Sequence, residues 1–140
     1  MVIDDQIYML QAANYILLEL GFPSDFAASG MLGLELIEKR LKMMATDASV
    51  QRLKLILLDF DMPIANGCQT AQKIRNLYRE KGIEDQMPVI CCMSAHEDGA
   101  KAGEIKEAGI QEYLTKPANE KSLKAILTKY GCISKDTSSK

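Results

Sequence analysis

The sequence contains no block of lysine or arginine. Its 17 basic residues are dispersed among 19 acidic ones, giving a formal net charge of -2 and a pI near 5.5. No basic face for a nucleic-acid backbone is expected from such a balance. No apolar run approaches the roughly 18 residues of a membrane span. The first residues lack a basic stretch followed by an apolar one, so no secretory signal is expected. Histidine occurs once, as His96, and the four cysteines (Cys68, Cys91, Cys92 and Cys132) include no CxxC spacing. Adjacent cysteines on a strand point to opposite faces, so Cys91 and Cys92 chelate poorly. Neither a structural zinc site nor a disulfide framework is expected. Reduced thiols and a cytoplasmic setting are the simplest reading.

What is present suits one globular domain: 140 residues, 47% of them hydrophobic. Two runs, LKLILL (53–58) and PVICCM (88–93), are apolar at almost every position, as strands covered on both faces require. QEYLT (111–115), Met1-Val2-Ile3 and a weak edge stretch at 25–28 complete five strands. Between them lie helical stripes. Ile7, Leu10, Asn14 and Leu17 form one, ending at Gly21-Phe22-Pro23. Leu34, Ile37, Leu41 and Met44 form a second. Ala71, Ile74 and Leu77 or Tyr78 form a third, stopping near Gly82, and a short helix at 99–108 ends at Gly109. The last stripe, Leu123, Ile126, Leu127 and Tyr130, has Asn119 as its N-cap and Gly131 as its stop. Residues 45–52 read as a polar connection. Residues 1–131 are expected to be the domain and 132–140 a disordered tail. Strict β-α alternation predicts an α/β fold with a doubly wound parallel sheet and right-handed crossovers.

Ligands in such sheets bind beyond the carboxyl ends of the strands. Those ends carry Asp4-Asp5, Asp59 with Asp61 beyond it, Ser94, and Lys116 before Pro117. Taken singly, each has an ordinary role as a cap, a turn or a solvated side chain. Placed together at four strand ends, they read as one site. Clustered carboxylates call for a cation, and an oxygen-rich set suits Mg2+. A carboxylate held in line can attack phosphorus, with an ammonium and a hydroxyl meeting the phosphoryl oxygens.

The stretches IDD (3–5), LILLDFDMPIANG (55–67), VICCMSA (89–95) and YLTKP (113–117) together resemble the receiver domain of two-component response regulators and hybrid histidine kinases. The resemblance runs from Met1 to about Tyr130. It implies a five-stranded flavodoxin-like sheet of order 2-1-3-4-5 and phosphorelay signalling rather than enzymatic turnover. It implies that Asp59 is the phosphoacceptor, with Ser94 as switch hydroxyl, Lys116 as partner of the phosphoryl oxygens and Tyr113 as aromatic switch. Mg2+ would bind Asp5 and Asp59, with support from Asp4 and from the backbone carbonyl of Asp61. The Lys116-Pro117 bond would be cis, and Met62-Pro63 and Gly67 match the family's turn after the acceptor. The expected partner is a histidine kinase or histidine phosphotransfer protein. The side chains of Asp61 and His96 would face the mouth of the site and tune the lifetime of the acyl phosphate by ordering or repelling water.

Two alternatives stand beside this reading. Haloacid dehalogenase-like phosphatases also carry a D-x-D after a strand, but their acidic pair follows the lysine. Here it precedes the nucleophile, and only Glu120 and Asp136 come after Lys116. The other alternative is a receiver-shaped interaction module that accepts no phosphate. Its one motive is the first strand, which offers three residues before the acidic pair and is expected to leave ladder groups unpaired. A stand-alone receiver and one cut from a hybrid kinase are both compatible with that short strand.

Overall fold

The computed structural model describes residues 1–62, 66–95 and 102–132, with the backbone alone at residue 102. Five parallel strands stand in the order β2-β1-β3-β4-β5: β1 (Val2–Ile3), β2 (Phe26–Ala27), β3 (Leu55–Asp59), β4 (Val89–Ser94) and β5 (Glu112–Thr115). Helices α1 (Ile7–Glu19), α2 (Gly30–Thr46), α3 (Gly67–Glu80), α4 (Ala102–Glu107) and α5 (Glu120–Lys129) make the crossovers. This is the expected sheet and order.

The solid apolar runs are explained by the two cores. Alternate side chains of β3 and β4 enter opposite layers. Ile56, Leu58, Ile90 and Cys92 pack with Ile37 and Leu41 of α2, Ala71, Ile74 and Tyr78 of α3, and Ile105 of α4. Leu55, Leu57, Cys91 and Met93 pack with Ala13 and Leu17 of α1 and Leu123, Ile126 and Leu127 of α5. Cys91 and Cys92 therefore lie back to back. Burial pushes the Cys91 thiol up to about 12 and raises Cys92 as well, which keeps both inert as nucleophiles.

Helix boundaries follow local chemistry. Asn119 accepts the Ser122 N–H at 2.8 Å, as expected of a cap. Asn66 and Gln69 close a reciprocal capping box on α3. The predicted stops Gly21, Gly82, Gly109 and Gly131 all take positive φ. The second helix departs from expectation at both ends. Ser29 caps it by accepting the Leu32 N–H, so it starts at Gly30, ahead of the apolar stripe, and it continues to Thr46. Gly30 and Gly33 sit at close approaches where a Cβ would lie 2.5 Å from Thr70 Oγ1 and Ile3 Cδ1. Cys132, assigned to the tail by sequence, donates its N–H to Leu127 O at 2.8 Å. Residues 133–140 lie outside the described residues, as do Pro63, His96 and the expected helix start at 99–101.

The short first strand is completed from Met1. The Leu57 N–H donates to Met1 O at 2.9 Å, and the Met1 α-amino group donates to Leu55 O at 3.0 Å.

Candidate functional site

The strand ends bring the polar residues to one rim. Asp4 follows β1 and is fully buried; its N–H donates to Ala27 O, and its Oδ1 accepts the Gln6 N–H at 2.9 Å. Asp5, next along, is exposed. Asp59 is the last residue of β3 and is 1% exposed. Ser94 ends β4, one register step beyond the Asp59–Met93 pair. Lys116 follows β5, its N–H bonded to Ser94 O at 2.7 Å, and the Lys116-Pro117 bond is cis.

The start of α3 depends on Gly67. A Cβ there would lie 2.9 Å from Phe60 Cα and 3.1 Å from Asp59 O, both backbone atoms that cannot swing aside. The absence of a side chain lets the helix begin against the end of β3.

Lys116 is the centre of the charge arrangement. Its side chain is 12% exposed, and Nζ lies 2.9 Å from Asp4 Oδ2 and 3.0 Å from Asp59 Oδ1. Burial works against its charge, but the two carboxylates outweigh burial and hold the ammonium above its ordinary range. Asp59 Oδ1 also accepts the Asp61 N–H at 3.0 Å. Burial raises Asp4; the Gln6 N–H and Lys116 oppose the rise, while Asp59 adds to it. Asp5 is raised by partial burial and then by its approach to Asp59. Both carboxyls are thus raised first by burial and further by the Asp59 carboxylate beside them.

Asp4, Asp5 and Asp59 each offer one oxygen, and the three lie within 4.8 Å of one another. Asp4 Oδ2 is buried and faces the ammonium as an ion pair, without a well-directed hydrogen bond. An all-oxygen trio with surplus negative charge fits a hard divalent cation. The Asp61 side chain is not part of the trio. Its Oδ2 accepts the Ser94 hydroxyl at 3.2 Å. Tyr113 stands on β5 in register with Cys92, and its partly buried ring packs against the core layer of α2, α3 and α4.

Three features escaped the sequence reading. The Asp61–Ser94 bond is one. Another is a clasp at the far end of β5, where Glu112 accepts from Lys129 at 2.6 Å and from the Tyr130 hydroxyl. The third is the outer face of α1, where Ile7 (63%), Tyr8 (79%), Tyr15 (67%) and Leu18 (58%) are exposed. That last feature had a signal, since α1 has no charged residue before Glu19.

The family model described as the response regulator receiver domain matches residues 1–128. Histidine protein kinase 1 of Candida albicans is 27% identical over 113 residues; the match spans 81% of this chain and only 4% of that protein. The receiver domain of the histidine kinase CKI1 from Arabidopsis thaliana, complexed with Mg2+ and BeF3-, superposes with a TM-score of 0.81 at 25% identity, covering 94% of this chain and 88% of that one. The receiver domain of Ssk1 from Saccharomyces cerevisiae, co-crystallised with the phosphotransfer protein Ypd1, gives a TM-score of 0.77 at 20% identity, over 94% and 86% of the two chains. Among the described residues, no helix is long and apolar enough to cross a membrane.

Proposed function

Because this chain belongs to the response regulator receiver domain family, a signalling module of two-component phosphorelays, we propose that it accepts a phosphoryl group on Asp59 from a phosphohistidine protein. The observation that carries this reading is the pairing of a buried Asp59 with Lys116 inside a trio of carboxylates at the strand ends. Asp59 Oδ1 is engaged by Lys116 and by the Asp61 N–H, so Oδ2 is the oxygen presented to phosphorus. Oδ2 forms the new P–O bond as the P–N bond of the donor breaks, and the electron pair returns to the imidazole. Lys116 then meets the phosphoryl oxygens, the Ser94 hydroxyl donates to another, and Tyr113 shifts with Ser94 to change the α4-β5-α5 face. Mg2+, bound by Asp5 and Asp59 with Asp4 behind them and the Asp61 carbonyl beside them, would neutralise charge developing on the phosphoryl group. The dehalogenase-like alternative is set aside on the family match.

Intact-mass measurement after incubation with Mg2+ and acetyl phosphate, and separately with a phosphorylated histidine phosphotransfer protein, tests the reading. A single phosphoryl adduct is the expected result. No adduct from either donor would leave a receiver-shaped interaction module in its place.

The uncharged outer face of α1 begins beside Asp5 and is the surface proposed to seat the donor protein. Exposed aromatic and aliphatic side chains on a helix with no charge before Glu19 suit a helical partner's apolar face. A Tyr15→Arg variant should keep its reaction with acetyl phosphate, because the small donor needs no docking. Its rate of transfer from a phosphohistidine protein should fall by at least about tenfold. Parallel single-turnover assays with the two donors check this.

A further inference from the structure

Asp61 is tied to both ends of the phosphoryl site. Its backbone N–H donates to Asp59 Oδ1 at 3.0 Å, and its carboxylate Oδ2 accepts the Ser94 hydroxyl at 3.2 Å. A serine hydroxyl has one proton to donate. Ser94 therefore cannot give that proton to Asp61 and to a phosphoryl oxygen on Asp59 at the same time. We propose that the Asp61 carboxylate is a positioning residue, a latch that holds the Ser94 hydroxyl in the resting protein and must let go before Ser94 can reach the phosphoryl group. The inference rests on the function proposed above and adds a restraint to it.

The chemistry favours a latch that opens under load. At 3.2 Å the bond is longer than a charge-assisted O–H···O bond usually is, so it restrains Ser94 in the resting protein without locking it. A phosphoryl group brings additional negative charge against Asp61 and offers competing acceptor oxygens. Repulsion and competition act in the same direction. Asp61 is itself exposed, so its side chain has solvent to swing into once the bond is broken. Its carboxylate lies outside the trio of Asp4, Asp5 and Asp59, which leaves it available for this part. The latch thus opposes switching, and removing it should make the phosphorylated geometry easier to reach.

Beryllofluoride, whose tetrahedral geometry mimics a phosphoryl group on a carboxylate, is the probe. Its affinity is measured at saturating Mg2+ for the wild type, Asp61→Ala, Asp61→Asn, Ser94→Ala and the Ser94→Ala/Asp61→Ala double variant. Asp61→Ala should bind about tenfold more tightly than the wild type. Asp61→Asn, which keeps an acceptor oxygen but loses the charge, should fall between them. In the Ser94→Ala background the Asp61→Ala gain should shrink to what charge repulsion alone supplies. The non-additivity is the signature, because a structural or purely electrostatic role for Asp61 would give the same gain in both backgrounds. Additive effects, or no gain at all, would overturn the latch while leaving the phosphoacceptor reading standing. A wild-type protein that binds no beryllofluoride would overturn both.

Discussion

An Asp59→Asn protein should gain no phosphoryl adduct from acetyl phosphate or from a phosphohistidine donor, with transfer reduced by more than about 1000-fold. The substitution is nearly isosteric. The amide oxygen can still accept from Lys116 and from the Asp61 N–H, the two donors now on Oδ1. What it loses is the anionic oxygen, and a neutral amide is a poor nucleophile toward phosphorus. The site geometry is therefore kept while the chemistry is removed, so the loss reports on Asp59 itself. A residual adduct on the variant, mapped by peptide mass analysis, would place the acceptor on a different residue. Ser94 is the nearest competitor, and its phosphate would survive hydroxylamine, which cleaves an acyl phosphate. The variant also removes one charge from an overloaded trio, so it should fold at least as well as the wild type in the absence of Mg2+.

Much of this site was legible because strand ends are legible. LILLD and VICCMS are apolar on both faces, so each could only be an interior strand of a sheet covered by helices on both sides. A charge or hydroxyl at the end of such a run marks where the strand leaves the core, and four such marks at four strands define a rim. Gly67 was legible only as part of a pattern; the reason for it, a Cβ meeting Phe60 Cα and Asp59 O, needs coordinates.

The misses share a physical origin. Period and burial describe where a side chain enters the core, but they do not describe where it turns once past the strand. Asp61 is two residues beyond β3, and nothing in its spacing says that its carboxylate meets Ser94. The apolar stripe that opens at Leu34 does not mark the start of the second helix at Gly30, whose first turn holds two glycines of poor propensity. Its start is set instead by the Ser29 cap and by two glycines that admit Thr70 and Ile3. The short first strand was expected to leave ladder groups unpaired. The chain instead uses Met1 itself, whose amine and carbonyl both join β3.

Replacing Lys116 with methionine should have the largest effect on stability. Lys116 faces two carboxylates whose side chains are 0% and 2% exposed. Removing the cation leaves them buried without compensation, and breaking a pair of this kind costs about 3 kcal/mol or more. The defect should depend on pH. Burial already holds the folded pKa of Asp4 above its unfolded value of 3.8, and loss of the ammonium should raise it further. Below 3.8 Asp4 is protonated in both states and its part of the defect vanishes. As pH climbs through the raised folded value, that part of the defect should grow. Mg2+ supplies the second test. If Asp4, Asp5 and Asp59 hold the ion, saturating Mg2+ should return most of the lost stability, because the metal restores positive charge among the same oxygens. It should not return tight binding of beryllofluoride, since the ammonium that meets the phosphoryl oxygens is still missing. Chemical denaturation of the variant with and without Mg2+, beside a beryllofluoride titration, separates the two roles of one lysine: balancing the resting acids and holding the transferred group. Equal recovery of stability and binding would reduce Lys116 to a charge that any cation can replace.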